Sequence, residues 1–468
     1  MHRGPARRGL VLTTMCVGMF LVLLDVTIVN VALADIRRDL AVHAAGLEWV
    51  VDADTLGFAT LMLTAGALGD AFGRRRLAVS GLLVFGAGSV VCGAALGLSM
   101  LLTGRALQGI GGALLLPQTL AVIAREYPEP AEQARAFGIW AGVSSLALPA
   151  GPLLGGVLVD RFGWPSVFLV NVPVVAVAAA ATLWLVHDDR RRARHGLDAR
   201  GQVLAIVTVG GWTVGVVEAA RLGWSSPVVI GALVIGALAL VVFVHVERHA
   251  RDPMLPLHWF RRRAFAAPNA VGLLMNFGGV GMLYLVTLLL QVVERRSALA
   301  AGVWLVAFTA PLALLAPVAG RVSARFGTRL PMVAGMTLAA AGVCLFLPAG
   351  GHGRGDGLLL TGMALAGTGL ALNTAPMVAA VMRALPEERG AFASAVNNTA
   401  RQVGAALGVA ALGGIAGDPG APSFVRGVHV AAGVTALAWV GAAAVAAVSV
   451  DPRRAAPARA SERVRSAA

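Results

Sequence analysis

The stretch "GALGDAFGRRR" occupies residues 66–76, with a long apolar run on each side of it. One acid and three arginines set between two such runs suit a short turn at the surface of a nonpolar layer. Gly73 permits a tight reversal of the chain. Asp70 can accept hydrogen bonds from a neighbouring helix N-terminus or pair with an arginine. A weaker copy, "GRVSARFGTR", stands at 320–329. Aligned, Gly66 falls on Gly320, Phe72 on Phe326, Gly73 on Gly327 and Arg75 on Arg329. Each copy follows the second apolar run of a block of six. The chain therefore reads as six runs, two extra, then six.

Composition supports a membrane location. Of 468 residues, 57% are apolar and 13% charged, against about 25% charged in soluble domains. Fourteen apolar runs, from 10–33 to 428–450, are each long enough to cross about 30 Å of hydrocarbon as a helix. Helices are required because lipid offers backbone groups no partners. The runs are too long for barrel strands. The expected fold class is an all-α membrane protein. Its expected layout is an N-tail (1–9), a six-helix bundle (10–186), a basic linker (187–201), two extra helices (202–246), a second basic linker (247–267), a second six-helix bundle (268–450) and a basic tail (451–468).

The net charge of +14 does not indicate nucleic acid. All 38 basic residues are arginine, and all but Arg105 and Arg401 fall outside the apolar runs, in loops and tails rather than on one face. An even number of spans puts both termini on one side, and most arginines share that side, which the positive-inside rule makes cytoplasmic. The expected location is the plasma membrane. The start resembles a secretory signal ending in "ALA" at 32–34, but its apolar run exceeds the roughly 7–15 residues of a signal core and contains Asp25. It is expected to be retained. Cys16, Cys92 and Cys344 lie in apolar runs and read as small core residues, without disulfide or metal.

Parallel six-helix repeats place a substrate site between the halves, near the midplane. Four motifs carry a resemblance to a known family: "LLDVTIVNVAL" at 23–33, the turn at 66–76, "LLTGRALQGIGGALLLP" at 101–117 and "GPLLGG" at 151–156. "NNTARQVGAALG" at 397–408 adds to it. The sequence resembles the major facilitator superfamily, in its fourteen-span drug/proton antiporter branch. The resemblance implies that Gly66, Asp70, Gly73, Arg74 and Arg75 latch the cytoplasmic side of the halves in the outward-facing state. It implies proton handling by Asp25 and Arg105, and an antiporter helix built on Gly151, Pro152, Gly155 and Gly156. Two departures stand out. Ala71 follows the acid where the family has a basic residue, and Asp54 takes a position commonly aromatic. In the second copy Ala324 replaces the acid, so a latch there should be weaker or absent.

Charges inside the spans cost about 2.5–3.5 kcal/mol each on insertion scales. Asp25, Asp52, Asp54 and Arg105 all fall in the outer half of the first block, roughly 8–12 Å deep at 1.5 Å per residue. Pairing is expected, with Asp25–Arg105 preferred. A carboxylate beside an arginine in a dry medium feels opposed pulls on its proton, and entering water tips the balance. Asp52 and Asp54 are two residues apart and face different sides, so at most one should line a cavity. Asn30, Gln108, Gln291, Asn373, Asn397 and Arg401 are candidate cavity-lining groups, although Arg401 could equally cap backbone carbonyls. Glu218 reads as a boundary residue. Met62, Met275, Met282, Phe277 and Trp304 suit an adaptable apolar wall. In the span-five motif, Pro152 kinks the helix and its glycines admit a close neighbour.

A phosphate loop needs lysine, and the chain has none. With no such motif and no cofactor signature, the expected function is not enzymatic. It is proton-gradient-driven efflux of amphipathic, hydrophobic or cationic small molecules by a monomer in the bilayer. A dedicated exporter of one endogenous natural product and a non-transporting receptor on the same fold are the alternatives.

Overall fold

In the computed structural model, the described residues are 5–187, 199–249, 257–346, 356–385 and 390–450, and their secondary structure is helical, joined by short turns. The first half runs α1 (Pro5–Asp39), α2 (Ala44–Phe72), α3 (Arg74–Gly93), α4 (Leu98–Glu126), α5 (Pro130–Phe162), α6 (Ser166–Leu169) and α7 (Asn171–Leu185). Two further helices follow, α8 (Ala199–Leu222) and α9 (Pro227–His249). The second half runs α10 (Arg263–Leu288), α11 (Ala298–Leu314), α12 (Ala316–Phe326), α13 (Arg329–Cys344), α14 (Asp356–Arg383), α15 (Gly390–Ala416) and α16 (Phe424–Ser449). Among the described residues, ten helices are long and apolar enough to cross a membrane, and α11 and α13 are shorter apolar helices.

Two expected spans are interrupted, for a shared reason. The run at 167–186 breaks at Val170 into α6 and α7. Pro173 cannot donate to the carbonyl of Leu169, so the ladder loses a rung there. The run at 299–319 breaks at Leu315, and α12 begins with a proline in its first turn. A third irregularity carries no such sequence mark. Beyond α10 the chain continues as a π turn, Leu289–Val293.

The internal repeat is visible in the backbone. One interval separates Ala41 from Arg295, Gly73 from Gly327 and Gly163 from Gly417. All six have positive φ, from 49° to 97°. Left-handed residues cost L-amino acids energy and mark required reversals. Matched reversals therefore end matched helices. At Gly73 the N–H closes α2 on the carbonyl of Gly69, and α3 starts at the next residue.

Packing repeats as well. Within the first half, α1 packs on α5 and α3 on α4, while within the second α10 packs on α15 and α13 on α14. Between the halves, α5 packs on α11 and α2 on α15, a swapped pair as a pseudo-twofold requires. The hairpin α8–α9 leans on this frame through α8, which touches α2 and α15. Outermost α9 exposes Val228, Ile230, Val234, Ile235, Leu238 and Val241. Apolar side chains all round such a helix suit lipid rather than water. The linker residues 188–198 and 250–256 and the tail 451–468 lie outside the described residues.

Candidate functional site: a buried charge cluster and a sealed seam

We call outer the end of the bundle opposite the one whose loops carry most of the arginines. α1, α2 and α4 bring Asp25, Asp54 and Arg105 together in the outer half of the first bundle. The Arg105 side chain is 2% exposed and that of Asp25 1%. Arg105 Nη1 donates to Asp25 Oδ2 in a short ion pair. It also donates to Gln108 Oε1 at 2.9 Å, while Nε reaches the carbonyl of Val50 at 2.9 Å. Nη2 lies 3.3 Å from Asp54 Oδ2. The second oxygen of Asp25 accepts from Gln108 Nε2 at 2.8 Å and Asn171 Nδ2 at 3.1 Å. Gln108 Nε2 also donates to Ser89 Oγ at 3.0 Å. The Asp25–Arg105 pair thus stands as the sequence suggests. Asn171 and Ser89 are additions that went unnoticed as isolated polar residues in apolar runs. Gln108 is a bridge inside the cluster rather than a lining group.

The cluster holds two carboxylates and one guanidinium. One proton makes it neutral, and water exclusion makes neutrality valuable.

Asp52 is a correction to the expected pairing. It points away from Arg105, is fully buried, and neither carboxylate oxygen has a hydrogen-bond partner. One turn earlier on α2, Glu48 is 1% exposed and its Oε2 also lacks a partner. Glu48 escaped notice because it stands at the edge of its apolar run. The spacing of four residues was the available signal.

The helix motif of α5 lies between α1 and α11. A Cβ at Gly151 would stand 2.0 Å from Thr27 Oγ1, one at Gly155 2.5 Å from Val31 Cγ2, and one at Gly156 2.5 Å from Leu299 Cα. On α11, a Cβ at Gly302 would stand 2.2 Å from the carbonyl oxygen of Pro152. The motif therefore binds the helix carrying Asp25 to the opposite half. Nearby, Asp160 accepts from the N–H groups of Ala298 (3.1 Å) and Leu299 (3.2 Å), the first turn of α11. Arg37 pairs with Asp418, and Gln291 Nε2 donates to the carbonyl of Val31 at 2.8 Å. All these contacts join the halves at the outer end. Gln291 lies in the π turn and is a staple across the seam, not a cavity wall.

At the inner end, Arg74 and Arg75 each reach carbonyls of their own bundle. Arg74 Nη1 donates to the carbonyl of Ala121 at 3.3 Å, and Arg75 Nη1 to those of Leu183 and Val186 at 3.4 Å. Such carbonyls near helix C-termini favour cations. Gly66 and Asp70 have helical backbone in α2, and their surroundings lie outside the described residues.

In the second bundle, Arg401 on α15 makes no hydrogen bond among the described residues, and its Nε is buried without a partner. Capping of backbone carbonyls by Arg401 is not seen among the described residues. Around it, Asn397 Nδ2 donates to Asn269 Oδ1 at 3.3 Å. Asn373 Nδ2 contacts Met275 Sδ at 3.1 Å, and its Oδ1 has no partner. Asn30 Nδ2 satisfies the carbonyl of Val26, leaving its Oδ1 open. The methionines are corrected from wall to core: Met62, Met275 and Met282 are each 2% exposed. Arg296 stacks over Trp304, its Cζ 4.0 Å from the indole centroid. Among the described residues, no group of His, Cys, Asp or Glu could hold a metal ion.

Known proteins agree with this architecture. The family model for the Major Facilitator Superfamily matches residues 15–296 and 270–467. The chain is 37% identical over 398 residues to the multidrug resistance protein Stp of Mycobacterium tuberculosis, spanning 85% of this chain and 74% of that one. It is 34% identical over 403 residues to the tetracenomycin C resistance and export protein of Streptomyces glaucescens, spanning 86% and 74%. A crystal structure of the peptide transporter POT with sulfate superposes with a TM-score of 0.70 at 16% identity, over 95% of this chain and 96% of that one. At that identity the likeness concerns the fold alone.

Proposed function

The chain belongs to the Major Facilitator Superfamily, and we propose that it exports drug-like amphipathic, hydrophobic or cationic small molecules across the plasma membrane in exchange for protons. The multidrug and antibiotic resistance proteins among its relatives support export. In this reading fourteen spans cross the bilayer with both termini inside, as two six-helix bundles joined by the α8–α9 hairpin, and a monomer suffices. No cofactor is needed; the proton gradient supplies the energy.

The observation that carries the exchange reading is the cluster of Asp25, Asp54 and Arg105. Asp25 accepts from Arg105, Gln108 and Asn171, so Asp54 is the excess carboxylate on the shared guanidinium; it keeps a proton while water is excluded and yields it when water enters. Closure of the outer seam leaves the inner side as the route by which substrate enters and the proton departs. The N-terminal latch motif belongs to the opposite state, with the inner side closed.

The test is ethidium transport by purified protein in vesicles under an imposed pH gradient. Asp25→Asn should lower gradient-driven transport at least about tenfold while leaving the protein monodisperse. Wild-type rates in that variant refute the coupling role of Asp25. A second reading, a dedicated exporter of one natural product, is favoured by the tetracenomycin C relative. A resistance profile confined to one compound class supports it, and tolerance to unrelated dyes and antibiotics supports the broad reading.

A further inference from the structure

Glu48 and Asp52 share one face of α2, a turn apart, on the seam between the halves. Tyr284 of α10, itself 1% exposed, lies in the electrostatic field of both carboxyl groups. Glu218 of α8 faces Glu48 as a further acid. From α15, Gly413 sits so close that a Cβ there would stand 2.4 Å from Glu48 Oε1. Beside it Ala410, with Ala45 and Val217, forms an apolar plug at this three-helix contact.

The charged groups of the neighbouring elements do not compensate the pair. Arg105 of α4 is engaged by Asp25 and Asp54 on another face of α2. Arg37 of α1 is paired with Asp418. Arg401 lies on α15 about three turns below Gly413. Near the start of α2, His43 is exposed and Asp39 accepts from Trp164 Nε1. Two carboxyl groups a turn apart, both buried and with three of four oxygens unpartnered, cannot both be anions in this seam.

We infer that Glu48 and Asp52 form a second proton-binding site, built into the outer seam and filled from the outside. When α2 parts from α10 and α15, outside water reaches both carboxylates and they ionise. The seam re-forms only after protons have moved from that water onto the carboxylate oxygens. Return to the sealed state thereby requires protons drawn from the external side. The Asp25 cluster differs because it carries its own guanidinium and keeps an ion pair when dry. This inference rests on the exchange reading above, and adds where the incoming proton is first taken up.

Spin labels at Leu96→Cys and Ser423→Cys, on outer turns of opposite halves, report the seam in full-length protein in nanodiscs, with Cys16, Cys92 and Cys344 replaced by alanine. Double electron–electron resonance is recorded from about pH 5.5 to about pH 8.5. The wild type should move toward longer distances as pH rises. The double variant Glu48→Gln/Asp52→Asn should stay at the short distance throughout. Glu48→Gln alone should displace the midpoint by about one pH unit or more, which keeps the test decisive if the double variant does not fold. Asp25→Asn should retain a pH-driven shift. A wild-type distance independent of pH overturns the inference, as does an unchanged shift in the double variant or an undisplaced midpoint in Glu48→Gln. If Asp25→Asn vesicles pump normally while the seam still titrates through Glu48 and Asp52, the coupling role of Asp25 fails and this site stands.

Discussion

The first bundle ties Asp25, Asp54 and Arg105 into one hydrogen-bonded cluster, whereas in the second Arg401 stands half-buried near Asn397, its Nε unpartnered and no acid paired with it among the described residues. Both halves follow one backbone plan, down to paired left-handed turns. The duplicated scaffold therefore leaves side-chain chemistry free to diverge. A charge with its counter-charge can be held dry and can exchange a proton. A lone guanidinium can be satisfied only by what enters the space beside it.

The largest expected effect breaks the comparison on its charged side. Arg105→Gln leaves Asp25 and Asp54 buried without their cation, and losing one partner of such a pair costs about 3–5 kcal/mol. Monodisperse protein in detergent should fall sharply, and Asp25→Asn added to Arg105→Gln should restore it. Failure of that rescue shows that Arg105 supports the fold by other contacts. An intermediate effect is expected at the seam. Gly302→Val pushes a side chain into the Pro152 carbonyl, and overpacking of this kind costs about 1–3 kcal/mol. The Leu96/Ser423 label pair should then report a larger open population at every pH. The smallest effect sharpens the contrast. Arg401→Gln removes a cation that has no partner, so melting temperature should hold or rise, and ethidium exchange should keep its pH dependence. A loss of stability comparable to that of Arg105→Gln would make the halves alike.

Much of the fold was legible because helices in lipid leave a strong periodic record and loops collect arginine. The repeat showed through Gly73 and Gly327, whose backbone role few other residues can fill. Asp25 and Arg105 were legible because a charge inside an apolar run demands a partner. The breaks at Val170 and Leu315 were written in nearby prolines but masked by continuous hydropathy. The π turn at Leu289–Val293 has no residue signature, although it is the segment from which Gln291 reaches across the seam to the carbonyl of Val31. Glu48 was hidden at the edge of its run, where an acid looks like a surface residue until α8, α10 and α15 cover it. Neither Asn171 nor Ser89 could be read as a ligand of Asp25 without knowing that α7 and α3 converge there.

The approach of α5 to α11 has one more consequence. With the Pro152 carbonyl resting against Gly302, the gap between the two backbones is narrower than a single water molecule. Hydronium hopping needs a continuous file of waters. Two bare backbones in contact break that file, so this face of the seam offers protons no path between the halves.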